Sequence, residues 1–176
     1  IGRLVLTRPA TMRSFILSLA LGVMLTAHQA PAQQPVAYIR YASGGTTAYG
    51  ILEGTTVREL RGDLFDTPAP TGKRLRLADV RVLAPVVPSK VIAVGLNYKT
   101  HLGARPAAAY PGLFAKLPTS IIANGDTIVL PPDAKNAHYE GELVIVIGKK
   151  ASRVSKESAR QYVFGVTVGN DVSERD

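Results

Sequence analysis

Cysteine is absent from the 176 residues, so the chain can form no disulfide and is indifferent to the redox state of its compartment. No internal sequence repeat is present. Charged residues are also sparse, at 19%, against 46% hydrophobic residues. This balance excludes a disordered chain and predicts a globular protein with one ordinary core.

Acidic residues are the minority charge, with 13 Asp and Glu against 21 Lys and Arg, which gives a formal net charge of +8. The basic residues are spread along the chain. The densest group has no interleaved aromatic residues and comprises Arg58, Arg61, Lys73, Arg74 and Arg76. This pattern is typical of a solvated surface, so we expect no nucleic-acid partner.

The longest apolar run lies near the amino end, at residues 15–25, and is too short to span a bilayer comfortably. It follows Met12-Arg13-Ser14 and is succeeded by Ala30-Pro31-Ala32. This order predicts that residues 1–32 comprise upstream residues and a secretory signal peptide cleaved after Ala32. The mature protein is then periplasmic or secreted, without stable membrane association. An uncleaved anchor or a buried helix is the alternative.

Short strands and turns are predicted after the leader. Residues 36–41, 46–52 and 55–60 form a β-meander, with glycine-containing turns between them. A Pro/Gly stretch at 67–72, followed by Pro85 and Pro88, predicts a linker. We therefore divide the chain into a small β module at 33–87 and a second domain at 88–176.

The second domain also favours strands over helices, so the predicted fold class is mainly β (α+β). We expect a buried strand at 91–95, a turn at 124–126 that leads into a strand at 127–130, a short helix at 155–162 capped by Ser155, and a strand at 163–169.

Two acids begin a further apolar strand, in the order Glu140-Gly141-Glu142. Residues at i and i+2 of a strand share a face, so the two carboxylates repel unless one holds a proton or a cation neutralises both. Gly141 leaves the opposite face open to close approach. Mg²⁺, Mn²⁺ or Ca²⁺ suits such oxygens. The alternative is an ordinary solvated strand face.

Four separated blocks, in order and spacing, resemble the fumarylacetoacetate hydrolase family. They contain Asn97-Tyr98-Lys99-Thr100-His101, Leu113-Phe114-Ala115-Lys116, Tyr139-Glu140-Gly141-Glu142, and Asn170-Asp171-Val172-Ser173-Glu174-Arg175-Asp176. The resemblance extends from about residue 36 to the last residue. It implies a β-rich sandwich roll preceded by a small β module.

The resemblance also implies site residues. Glu140, Glu142 and Asp171 would bind one divalent ion, with Mg²⁺ first and Mn²⁺ or Ca²⁺ as alternatives. His101 and Lys116 would be catalytic. Arg175 would bind a substrate carboxylate or, alternatively, hold Asp171 in place, and Asp171 itself can instead cap a turn at Asn170.

The implied activity is metal-dependent hydrolysis of carbon–carbon bonds in small oxo-acids of the acylpyruvate or fumarylacetoacetate type. Isomerisation or decarboxylation of a 2-hydroxymuconate-type diacid is the alternative within the family. An inactive, truncated metal-binding remnant is the alternative outside it. The resemblance further implies a homodimer for a full-length protein.

Two departures from the family pattern affect these expectations. Ala104 stands where many relatives have a glutamate that pairs with the histidine, and the segment 101–106 is shorter. Relatives also continue beyond the position of Asp176, so we expect a C-terminally truncated chain. Unpaired strand edges left by such a truncation favour aggregation.

Overall fold

The computed structural model describes residues 35–175, which are mainly β, as the sequence predicts. The strands are β1 Tyr38–Ser43, β2 Thr46–Glu53, β3 Thr56–Arg61, β4 Ala69–Arg76, β5 Arg81–Val82, β6 Val91–Gly95, β7 Gly112–Lys116, β8 Ala137–His138, β9 Gly141–Ile147, β10 Val163–Asn170 and β11 Ser173–Glu174. Helical structure comprises α1 Lys99–Leu102 and the 3₁₀ turns Leu77–Asp79, Pro118–Ser120 and Ala159–Tyr162.

The predicted leader at 1–32 lies outside the described residues. Within residues 35–175, no helix has the length and apolar character needed to cross a membrane.

A five-stranded antiparallel sheet in the order β4-β3-β2-β1-β5 forms the first part of the fold. The β1–β2 hairpin closes where Ser43 pairs with Thr46, and its two turn residues, Gly44 and Gly45, have φ of 56° and 78°. Positive φ at both positions is the requirement of a tight hairpin turn, which glycine meets without strain. The predicted β-meander is confirmed.

The Pro/Gly stretch at 67–72 was predicted as a linker, and this is wrong in part, because β4 begins at Ala69. Proline lacks a backbone donor and is tolerated at sheet edges, and β4 is an edge strand. A register shift between Arg58 and Leu60 accommodates the pairing of Leu60 with Pro70.

The buried hydrophobic side chains of residues 35–175 all belong to this first part, and they are Tyr41, Val57, Leu60 and Leu64. Val57 and Leu60 are three positions apart, which regular strand alternation would place on opposite faces. The register shift between Arg58 and Leu60 accounts for the burial of both. This sheet therefore carries the core of the described chain.

Three two-stranded antiparallel ladders follow: β6 with β7, β9 with β10, and β8 with β11. The strands predicted at 91–95 and 163–169 are present. The expectation that the strand at 91–95 is buried is wrong, since no residue from 88 to 175 is buried. Phe164 of β10 contacts the rings of Tyr38 and Phe65, but Leu143 of β9 remains 65% exposed.

Two further predictions need correction. The turn at Asn124-Gly125 is present, but no strand follows at 127–130. The next two residues are prolines, at 131 and 132, and they disfavour strand pairing because proline has no backbone donor. The helix predicted over 155–162 is only the 3₁₀ turn Ala159–Tyr162. Ser155 does accept the predicted type of hydrogen bond, from the backbone N–H of Ser158 at 3.3 Å.

Candidate metal and substrate site

The predicted acids meet at one end of the β9–β10 ladder. Glu142 pairs with Gly169, and Gly141 pairs with Asn170. One step further, the N–H of Asp171 donates to the carbonyl oxygen of Glu140 at 2.9 Å. The structure therefore brings Asp171 beside the glutamate pair, although the strand that carries it ends at Asn170.

The side chain of Asn170 strengthens this junction. Its Oδ1 accepts a hydrogen bond from the backbone N–H of Glu140 at 2.9 Å. Glu140 thus has both of its backbone polar groups held by the segment at 170–171. The sequence predicts only a turn at Asn170, whereas in the structure its side chain fixes the backbone of Glu140.

Two of the three acids are paired with cations. Asp171 receives a hydrogen bond from the ammonium group of Lys116, at the end of β7. Glu140 pairs with the guanidinium group of Arg175. Both carboxylates are largely covered, with side-chain exposures of 19% for Asp171 and 20% for Glu140.

The pairing differs from one sequence-based alternative. That alternative assigned Arg175 to Asp171, but Lys116 holds Asp171 and Arg175 holds Glu140. Arg175 is positioned by the β8–β11 ladder, since its backbone N–H donates to the carbonyl oxygen of Asn136 at 3.2 Å.

The third acid, Glu142, contacts a tyrosine that the sequence analysis did not assign a role. The phenol of Tyr98 donates to Glu142 Oε2 at 3.4 Å. The same ring meets the His101 ring edge-on, with centroids 6.3 Å apart. Tyr98 therefore links a histidine and an acid that are 41 positions apart in the sequence. The feature of the sequence that could have indicated a role for Tyr98 is its position directly after Asn97 in the first motif.

His101 lies on the single-turn helix α1. The guanidinium group of Arg105 donates to the carbonyl oxygens of His101 and Leu102, at 2.8 and 3.2 Å. These contacts satisfy carbonyl groups that a helix end leaves without partners. Ala104 lies in the turn that follows, so the position of the family glutamate provides no carboxylate here.

Carboxylate oxygens are the ligands that a hard divalent ion prefers, and the backbones of the three acidic residues meet at one end of the ladder. Their side chains are not turned to a common centre. Among residues 35–175, no group of three or more His, Cys, Asp or Glu side chains is arranged to hold an ion. In the arrangement described, Asp171 and Glu140 are each engaged by a cation.

Two family models match the chain. "Fumarylacetoacetate (FAA) hydrolase C-terminal" matches residues 90–176, and "Rv2993c-like, N-terminal" matches residues 37–85. The first match contains every candidate site residue named above.

Individual proteins agree with these matches. Protein Rv2993c of Mycobacterium tuberculosis is 43% identical over 78% of this chain and 55% of its own length. The oxaloacetate tautomerase Fahd2a of Rattus norvegicus is 42% identical over 56% of this chain and 33% of its own length. The chain therefore spans about half or less of these curated relatives.

A solved structure supports the fold. The 2-hydroxyhepta-2,4-diene-1,7-dioate isomerase of Mycobacterium marinum is 41% identical and superimposes with a TM-score of 0.72. The match covers 81% of this chain and 56% of that structure. The mainly β architecture and the strand pairing described above thus follow a known fold.

Proposed function

The chain belongs to the fumarylacetoacetate hydrolase family, and from this premise we propose that it takes part in metal-assisted chemistry on a small oxo-acid. The observation that carries the proposal is the meeting of Glu140, Glu142 and Asp171 at one end of the β9–β10 ladder. Two cations flank these acids, which gives the site groups for both a metal ion and an anionic substrate.

The proposed metal ligands are the three carboxylates, and Mg²⁺ or Mn²⁺ is the proposed ion. Such an ion supplies stabilisation of negative charge on an oxo-acid oxygen. Lys116 and Arg175 bind the substrate carboxylate, for which the planar fork of arginine is well suited. His101 transfers a proton, and Tyr98 holds Glu142 in place.

Hydrolysis of a carbon–carbon bond in an acylpyruvate-type substrate is the first candidate reaction. It requires an activated water molecule, for which His101 is the available base.

Isomerisation or tautomerisation of a related oxo-acid is the second candidate. It needs only the transfer of a proton, and Ala104 leaves His101 without the neighbouring glutamate that many relatives use. The M. marinum structure and the rat protein, at 41% and 42% identity, are named as an isomerase and a tautomerase.

We expect Glu142→Gln to lower metal-dependent turnover by about 100-fold or more, because it removes a ligand charge while keeping the side-chain shape. Turnover of an acylpyruvate and of enol-oxaloacetate is followed by ultraviolet absorbance, with Mg²⁺ or Mn²⁺ and with a chelator. The matched control is Glu53→Gln, which changes an acid that pairs with Arg58 and Arg74 in the first sheet.

Each outcome separates the candidates. Acylpyruvate cleavage supports the hydrolase, and acceleration of enol-to-keto conversion alone supports the tautomerase. Metal binding without either activity would support an inactive remnant, and equal activity of Glu142→Gln and the unchanged chain would remove Glu142 from the site.

A further inference from the structure

The two ion pairs of the site join segments that are distant in the sequence. Lys116 and Asp171 are 55 positions apart, and Glu140 and Arg175 are 35 positions apart. In each pair the acid is more covered than its cation, since Lys116 and Arg175 retain 30% and 42% side-chain exposure. The cations therefore approach the acids from the solvent side.

The charges of the cluster do not balance. Three carboxylates face two cations, and the remaining acid, Glu142, accepts only a long hydrogen bond from the neutral phenol of Tyr98. The cluster thus attracts a further positive charge. A divalent ion placed among the same carboxylates is, however, repelled by an ammonium or guanidinium group that stays within a few ångströms.

We propose that Lys116 and Arg175 are displaceable counter-ions of the acid cluster, and that a divalent ion turns them outward to face an anionic substrate. The inference rests on the proposed function, since it takes the metal to bind these acids. It adds an order of binding: the ion binds first, and its binding raises the affinity for a small carboxylate.

This order of binding follows because the hydrogen-bond donors of both cations are already engaged by acids of the protein. While Lys116 is bonded to Asp171 and Arg175 to Glu140, their donors are already used within the protein. A substrate carboxylate that arrives first must compete with these internal acids. Once the acids bind a metal ion, both cations are free to donate to the substrate. By linkage, the substrate then also strengthens metal binding.

The first test measures the affinity of the chain for Mn²⁺ alone by isothermal titration calorimetry. Lys116→Met and Arg175→Met should each bind Mn²⁺ about 3- to 10-fold more tightly, because each removes one competing cation. Lys116→Arg, which keeps the charge, should stay close to the unchanged chain. The matched control is Lys73→Met, which removes a lysine 3.3 Å from Glu59 in the first sheet and should leave the affinity unchanged.

The second test measures binding of succinate, a non-reacting dicarboxylate, with and without Mn²⁺. The unchanged chain should bind succinate at least about threefold more tightly with the ion present. Lys116→Met should lose most of this gain, since the cation released by the ion is missing.

The results distinguish the inference from the function on which it rests. If the unchanged chain binds Mn²⁺ but Lys116→Met and Arg175→Met bind it equally or more weakly, the counter-ion inference is overturned and the metal site stands. If the affinity for succinate is the same with and without Mn²⁺, the proposed order of binding is overturned. If neither the unchanged chain nor the variants bind Mn²⁺, both proposals fail. Tighter Mn²⁺ binding in the variants, together with no turnover by the unchanged chain, supports the inference and counts against the enzyme.

Discussion

The hydroxyl group of Tyr41 belongs to a buried residue of the first sheet and forms a hydrogen bond to a charged side chain. Tyr41 is 1% exposed and donates to Glu59 Oε2 at 2.8 Å. The carboxylate of Glu59 also accepts from Thr71 Oγ1 and Lys73 Nζ. Burial, together with the contact to Glu59, raises the pKa of Tyr41 above its usual range, and the hydrogen bond from Tyr41 lowers the pKa of Glu59.

We expect Tyr41→Phe to lower the free energy of unfolding by about 1–2 kcal/mol, because the ring packing stays while a hydrogen bond to a charged acceptor is lost. Urea unfolding at pH 7 measures this change. The matched control is Tyr110→Phe, whose side chain is 84% exposed and which should be neutral. An equal loss in both variants would assign the effect to something other than the buried hydrogen bond.

The same contact sets a pH dependence. Because the folded-state pKa of Glu59 is lowered, its stabilising contribution is present above the unfolded value of about 4.3 and is lost as the pH falls through the folded value. The raised pKa of Tyr41 acts in the opposite range: its contribution is present below about pH 10 and is lost as the pH rises through the folded value. In Tyr41→Phe, the acid slope should therefore become shallower.

At the level of single residues, the sequence predicts a set of site side chains but not which groups they meet. The i, i+2 spacing placed Glu140 and Glu142 together, and the position of Asp171 after a neighbouring strand placed a third acid nearby. The partners Lys116 and Arg175 depend on where β7 and β11 lie in three dimensions. Local patterns contain no information on that placement.

Among the elements, β2 packs closely enough to exclude a single methyl group. A Cβ at Gly50 would lie 2.5 Å from Val57 Cγ1 and 3.0 Å from the carbonyl oxygen of Arg58. Val57 is fully buried, so it has little room to move.

Gly50→Ala is therefore expected to destabilise the fold by about 1–3 kcal/mol, as overpacking in a core does. Differential scanning calorimetry measures the shift in Tm. Gly165→Ala provides the matched control, because a Cβ at this strand glycine of β10 meets nothing within 4 Å. A Tm for Gly50→Ala equal to that of the unchanged chain would show that β2 and β3 pack less tightly than described.

The elements that sequence reasoning identified are those with a local signal. Glycine turns and apolar runs predicted β1, β2, β3, β6, β9 and β10. The strand β4 was missed because Pro70 and Gly72 are typical of linkers, and only its position at the sheet edge makes proline tolerable there. Residues 127–130 have an apolar pattern but pair with no strand in the described chain, and pairing depends on distant residues.

For the molecule as a whole, apolar surface is the dominant feature of residues 88–175. The ladder β9–β10 exposes Leu143, Ile145, Val166 and Val168, the last at 83%. Contiguous apolar surface of this kind marks a site of association, and two-stranded ladders also present unpaired edges.

We expect the chain at micromolar concentration to bind the dye ANS and to show a mass of at least twice that of one chain in light scattering. Val166→Lys should lower both signals, because it places a charge on the exposed ladder. Val36→Lys, which adds the same charge at an exposed residue outside the strands, is the control. A monomeric chain that does not increase the fluorescence of ANS would contradict this prediction. A discrete dimer would agree with the oligomer that the family resemblance implies.

The junction at Glu140 has a kinetic consequence. Its backbone is fastened on both sides, to the side chain of Asn170 and to the N–H of Asp171, so the anchor points of these acids stay fixed while their carboxylates rotate. Exchange of one partner for another then needs rotation of the side chains but no movement of the backbone. The speed of metal capture would accordingly depend on release of the two cations and on how fast the ion sheds its water shell, since no chain segment has to rearrange first.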